Sequence, residues 1–408
     1  MNIKRLIAVI LSVLLLCIIS ACDMQPDEVA PSSAVSQEVV EAAVSSAAVP
    51  VVSEATSSEP ADAPSPSVRV FAAGDNLIHS SIYNQAKKRA ADGGYDFDYA
   101  YAHVADLVAA ADLAILNQET PIANDLFEPS TYPLFNSPTA LGDKMIDMGF
   151  NAISHSNNHI LDKGEKGLLA TLDYWGNRGV LVYGAYRDEN SLNTIPTMEM
   201  NGITFSFVGF MEHTNGLHLP KDAAARLVYT SDRETMQRLI QKADAVSDAV
   251  IVSVHWGTEI SNTITSQQKE LARLFADWGA DVIIGTQPHT IQSMEYLDKP
   301  NGGRTFVAYS LGNFISAQER NLAMIGVTVD LNVSKDPATG AIAIEDVKAI
   351  PVITHYGAGF SDVTVYPYSQ YSEALAKAHG VRAKGEFSME YIDRIIKEYI
   401  PEEFLRLE

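Results

Sequence analysis

The chain has 408 residues and a formal charge of −22, with 29 Lys and Arg against 51 Asp and Glu. So acidic a chain repels nucleic acid and anionic lipid headgroups, and neither is expected to be held by charge. With 47% hydrophobic residues, it can bury one large core or two smaller ones.

Lys4 and Arg5 precede an apolar run, Leu6 to Ile19, which ends in Ser20, Ala21 and Cys22. A short cationic region, an apolar region and small residues before a cut are the order of a secretory signal. Residues 1–21 are therefore expected to be removed. Small-small-Cys resembles the lipobox of bacterial lipoproteins, which implies a lipid on Cys22 and a place on the outer face of the cytoplasmic membrane or the cell surface. A plain signal peptide with an incidental cysteine is the simpler alternative.

From Asp23 to Ser67 there are eight acidic residues and no Lys or Arg, among Ala, Val, Ser and Pro. With no aromatic residue and no helix-length apolar stripe, residues 22–67 are expected to form a disordered tether. Cys17 leaves with the signal, so the exported domain has no cysteine. Any metal there must be held by nitrogen and oxygen.

Beyond Val68, short apolar runs alternate with amphipathic ones. Strands are expected at 68–72, 113–116, 152–154, 181–183, 205–209, 250–254, 282–284 and 306–309. Helices are expected at 99–110, 139–148, 166–177, 233–246, 267–278 and 389–399. Asn201-Gly202 marks a hairpin, since both residues tolerate positive φ. After Ile325 the pattern is more β-like. The fold class is α/β, with mixed β-sheets sandwiched by helices. Residues 68–360 are expected to form the main domain, with 361–408 as an extension packed on it.

Six loops carry polar residues directly after apolar strands: Asp75; Asn117 and Glu119; Asn157, Asn158 and His159 with Asp162; His255 and Trp256 with Glu259; Gln287 and His289; and Asn313. Ligands bind beyond the carboxyl ends of strands in such sheets. Carboxylate, amide oxygen and imidazole together suit divalent ions. Each residue also has a plain explanation: Asp75 as a helix cap, His255 as a core histidine, Asn157 and Asn158 as turn formers. Placing all of them at strand ends by coincidence is the weaker account. His79 and His213 also follow strand ends.

Together these motifs, from Val68 to Ile315, look like the CapA-type family of poly-γ-glutamate capsule synthesis, whose fold resembles the calcineurin-like metallophosphatases. The resemblance implies Asp75, Glu119, Asn158, His255 and His289 as metal ligands and His159 as the catalytic proton donor. It leaves Asn117, Asn157, Asp162, Trp256, Glu259, Gln287, Gln292 and Asn313 in a supporting or substrate-facing place. One or two divalent ions are implied, with Mn, Zn, Fe and Mg not distinguished. The chain departs at Gln287, where many relatives carry His, and at Asn76 and Leu77, which replace the Asp-x-His opening of the phosphatases.

Three functions stay open at this point. The first is a metal-dependent hydrolase serving the polymer, and the second a non-catalytic lipoprotein that binds poly-γ-glutamate or its synthase subunits. The third is a surface phosphoesterase unrelated to capsule. Lys163, Lys166, Arg304 and Arg320 are the basic residues nearest the motifs in sequence.

Overall fold

The computed structural model describes residues 65–408, and within them every apolar run read as a strand is one. The signal segment, Cys22 and nearly all of the expected tether lie outside the described residues.

Several strands run beyond their apolar stretch. Ser67–Asn76 continues through Asp75, Leu113–Asn117 through Asn117, Ala249–His255 through His255 and Val282–Thr286 through Thr286. Ladder pairing uses only the backbone, so a strand can carry polar side chains into its last positions. Asp75 is therefore a strand residue and caps no helix: the next helix begins at Ser80, with His79 in the cap position.

Two mixed sheets form. In the first the order is Thr364–Pro367, Ile342–His355, Ile325–Lys335, Ser67–Asn76, Leu113–Asn117, Ala152–Ser154, Leu181–Tyr183, with Asn313–Ile315 also paired to Ser67–Asn76. In the second it is Met294–Asp298, Arg304–Ala308, Val282–Thr286, Ala249–His255, Ile203–Met211, Thr197–Met200. In the first sheet Ser67–Asn76, Leu113–Asn117, Ala152–Ser154 and Leu181–Tyr183 run parallel and the long strands on the other side antiparallel; in the second the middle strands are parallel and the two edge strands antiparallel. Parallel neighbours put their carboxyl ends on one edge, which is how residues far apart in sequence reach one site.

Alternating side chains on the second sheet face two ways. Phe205, Phe207 and Ile251 join Phe71, Leu113 and Ile115 of the first sheet in one apolar core. Val208, Phe210, Val250 and Val252 instead meet Met236, Leu239, Leu271 and Phe275 of the helices Arg233–Asp244 and Ser266–Trp278. Residues 361–408 contribute Val363, Val365, Ile392, Ile396 and Phe404 to the first core. Among the described residues, no helix is long and apolar enough to cross a membrane.

The Asn201-Gly202 hairpin is present, with both residues at positive φ (48° and 78°). The helix expected at 99–110 is instead two short ones, Asp98–Tyr101 and Ala105–Ala109. Asn313–Ile315, read from the sequence as part of a loop, is a short strand paired with Ser67–Asn76. It lies beside Asp75 because Gly74 lets the backbones meet. A Cβ on Gly74 would sit 2.0 Å from the Gly312 oxygen, which instead accepts the Asp75 N–H at 2.9 Å.

Two buried histidines away from the site make the fold acid-sensitive. Trp175 Nε1, a donor only, bonds His155 Nε2 at 2.8 Å, and the Val381 N–H bonds His379 Nδ1 at 3.0 Å. Protonation at either nitrogen breaks the bond. Burial holds His155 down to about 3 and His379 down to about 4. The unfolded state, near 6.5, then binds the proton first, so stability is full above 6.5 and is lost as pH falls. Each histidine is expected to cost about 2 kcal/mol on going from pH 7 to pH 5. Urea midpoints at the two pH values check this, and an unchanged midpoint contradicts it.

Candidate metal centre

Asp75 comes from the first strand of the first sheet, Glu119 from the loop after the next, and His289 from the loop after Val282–Thr286 in the second sheet. One potential ligand atom from each lies within 4.8 Å of the others, and all three residues are buried. This group could hold a divalent ion.

The surrounding bonds fix its members. Asp75 Oδ1 accepts from Asn117 Nδ2 at 2.7 Å, and its Oδ2 accepts from His289 Nδ1 at 3.0 Å. Asn117 Oδ1 accepts from Asn157 Nδ2 at 3.3 Å, and Asn157 Oδ1 accepts the His159 N–H at 3.2 Å. A line of amides thus ties the end of the strand Leu113–Asn117 and the loop after Ala152–Ser154 to one carboxylate. Asn313 Oδ1 also accepts from His289 Nδ1, at 3.1 Å, while its Nδ2 donates to Ser316, Gln318 and the Ala323 carbonyl.

His255 sits across from this pair. Its Nε2 is 3.6 Å from Glu119 Oε1 and 3.2 Å from Asn158 Oδ1, and its Nδ1 is 2.8 Å from Thr286 Oγ1. Asn158 is turned by donating to Asn215 Oδ1 at 3.3 Å. Thr286 lies in the segment with Gln287 and His289 but is given no role by the sequence, and Asn215 lies outside the motifs. For Asn215, two positions from His213, that nearness is the signal the chain gives.

Glu119 decides whether an ion fits. Its exposure is 0%, and neither carboxylate oxygen has a hydrogen-bond partner among the described residues. A buried carboxylate without partners is costly. Two carboxylates, an imidazole and nearby amide oxygens are the donor set of a hard or borderline divalent cation. The residues fit the ion, and the ion would satisfy Glu119.

Electrostatics agree. Burial, then the charge of Asp75, pushes Glu119 well above the usual carboxylate range. Burial acts to raise Asp75 as well, yet the His289 hydrogen bond and the charges of His289 and His255 hold it below that range. Burial also opposes charge on His289, but Glu119 and Asp75 outweigh it and push His289 up to about 9. His255 is held down to about 3, chiefly by burial.

Binding an ion therefore displaces protons from Glu119 and His289. Affinity for Mn²⁺ is expected to climb between pH 6 and pH 8, by up to roughly tenfold per unit for each proton released. Calorimetry in buffers of different ionisation heat measures the release. Affinity that does not change with pH contradicts this account.

His159 stands beside the group with a fixed partner. Its Nδ1 is 2.8 Å from Asp162 Oδ2, which also accepts the Phe135 N–H at 2.7 Å. The other polar residues separate into two sets. Gln287 donates to Glu259 Oε1 at 3.3 Å, while its own Oε1 is buried and unpartnered. Gln287 and His289 both have positive φ (96° and 58°), strain of the kind that gathers at functional sites.

Trp256 and Gln292 serve the framework instead. Trp256 stacks on Phe275 and Tyr309 in the helix-side core. Gln292 accepts from Gln268 and donates to the Ser261 and Thr263 carbonyls, bracing a loop. Of the basic residues, Lys163 bonds the Leu134 carbonyl at 3.0 Å. Arg304 opens its strand, at the end opposite the site.

Residues 69–318 match the model described as bacterial capsule synthesis protein PGA_cap. The chain belongs to the bacterial capsule synthesis protein family. It is 33% identical over 174 residues to the PGA biosynthesis protein CapA of Bacillus subtilis (strain 168), covering 42% of this chain and 44% of that one. It is 28% identical over 235 residues to the capsule biosynthesis protein CapA of Bacillus anthracis, covering 55% of each. The alignments thus span about half the length of these capsule proteins. Among solved structures, a phosphatase from Mycoplasma pneumoniae is 15% identical with a TM-score of 0.45, over 71% of this chain and 94% of that one. The metal reading of this family member rests on its own residues.

Proposed function

We propose that this capsule synthesis protein acts on poly-γ-glutamate as a divalent-metal-dependent hydrolase, tethered by a lipid on Cys22 to the outer face of the membrane. The observation that carries the reading is Glu119: a fully buried carboxylate with both oxygens unpartnered, beside Asp75, His255 and His289. A site kept only for shape would gain by having a neutral residue there.

Asp75, Glu119 and His289 would hold an ion, with His255 and Asn158 at its edge. When bound, a divalent ion polarises a carbonyl or phosphoryl oxygen and makes water nucleophilic near neutral pH. The chain's own part is orientation and proton transfer. His159 keeps Nδ1 on Asp162, which leaves Nε2 free to exchange a proton with the substrate. Phe135 packs edge-on against the same ring, with centroids 4.8 Å apart, and limits its rotation. The negative charge of the chain disfavours a polyanion elsewhere on the surface, so the polymer is drawn only where cations offset that charge.

Incubating the full chain with Mn²⁺ and poly-γ-glutamate, and following polymer length, tests the reading. Shortening that a chelator abolishes is expected. Unchanged polymer in the presence of bound metal would remove the hydrolase and leave a binding protein.

A further inference from the structure

Asn215 is exposed, yet its side chain reaches a buried one. Its Oδ1 lies 3.3 Å from Nδ2 of Asn158, 57 positions away. Asn158 is 1% exposed and follows a strand of the first sheet, whereas Asn215 follows one of the second. The other end of the Asn158 amide faces the centre: its Oδ1 is 3.2 Å from His255 Nε2, which is itself 3.6 Å from Glu119 Oε1. A surface residue thus holds the outer end of an amide whose inner end lies among the candidate ligands.

The turn that carries Asn215 is braced. Glu212 donates its N–H to the His255 carbonyl at 2.9 Å and accepts the Gly257 N–H through Oε2 at 2.7 Å. The segment therefore leaves the second sheet bonded to the strand end that bears His255. The Leu217 N–H then closes on the Thr214 carbonyl at 2.8 Å, and buried Thr214 donates Oγ1–H to the Leu217 carbonyl at 2.6 Å. Between them Asn215 and Gly216 both have positive φ (51° and 75°). Asparagine tolerates that conformation, which is the plain reason for its presence. Glycine would meet the same need more easily, but it could not reach Asn158.

Two primary amides can pair either way round, and a cation selects one of the two. An amide offers a cation only its oxygen, so an ion beside Glu119 turns Asn158 Oδ1 inward and leaves Nδ2 outward. The outward N–H then needs an acceptor, and the Asn215 side chain stands at that place. Because the turn is tied at both ends, the acceptor is in position before the ion arrives, which lowers the ordering cost of binding.

We propose that Asn215 is a positioning residue of the metal centre: its side-chain oxygen holds Asn158 with the amide oxygen toward the ion, and so sets the affinity of a buried centre from the protein surface. The inference rests on the proposed divalent ion and not on the hydrolytic step.

Calorimetry of Mn²⁺ binding to the full chain, with Asn215→Gly and Asn215→Asp beside wild type, tests it. Glycine suits the φ of 51° and removes the oxygen. Affinity should fall roughly tenfold or more, as when an outer partner of a metal ligand is lost. The melting temperature in chelator should change little, because relief at positive φ offsets the freedom that glycine adds to the unfolded chain. Aspartate tolerates the same φ, keeps an oxygen at the same place and can only accept when ionised. It should bind Mn²⁺ at or above the wild-type affinity. If Asn215 served the turn alone, the glycine variant would bind as wild type does, and that result would overturn the proposal. An aspartate variant as weak as the glycine one would overturn it too. A wild-type chain that takes up no Mn²⁺ removes the centre itself, whereas equal uptake by wild type and Asn215→Gly removes only the role of Asn215.

Discussion

Replacing Glu119 with glutamine is expected to weaken divalent-ion binding by more than about 100-fold, since losing even an outer partner of a metal ligand costs 10–100-fold. The same change should stabilise the metal-free protein. Glu119 is held well above its ordinary value, mainly by burial and by Asp75. A folded-state value above the unfolded one gives stability that is present at low pH and lost as pH rises. Glutamine cannot ionise, and its amide N–H can face the Asp75 side of the group, where a like charge stood within 4.8 Å. The gain should be about 1–3 kcal/mol and should be larger at pH 8 than at pH 5. Thermal melts with chelator, paired with calorimetry for Mn²⁺, test both halves. A variant that is less stable without metal and still binds it would show that Glu119 is structural.

The second large effect belongs to His159. His159→Ala should lower hydrolysis by about 10²–10⁴-fold, the usual share of a positioned acid or base, with metal content unchanged. Asp162→Asn should fall short of that loss. Its amide can still take the Phe135 N–H through an oxygen, but it no longer gives the His159 Nδ1–H a carboxylate to face. Rates measured together with metal content distinguish this from a fault in the centre. If His159→Ala retained full rate, the proton would have to move through another group.

Much of the centre is legible in the chain because each member comes just after an apolar strand, and parallel strands deliver the residues at their carboxyl ends to one edge. Asp75, Glu119, His255 and His289 are legible for that reason. Three things are not. Strand ends read short, because a hydrophobic pattern stops at Asn117 or His255 while the ladder continues. Trp256 and Gln292 look like site residues in sequence, since adjacency in a loop does not say which way a side chain turns; one enters the core and the other braces a loop. Phe135 carries no motif, and only the fold shows that it spaces His79 from His159.

The most direct measurement is metal content per full-length chain, by elemental analysis after dialysis against metal-free buffer, for wild type and Glu119→Gln side by side. The account predicts at least one divalent ion per wild-type chain and almost none in the variant. A folded wild-type chain that binds no ion when offered Mn²⁺, Zn²⁺, Fe²⁺ or Mg²⁺ would contradict it.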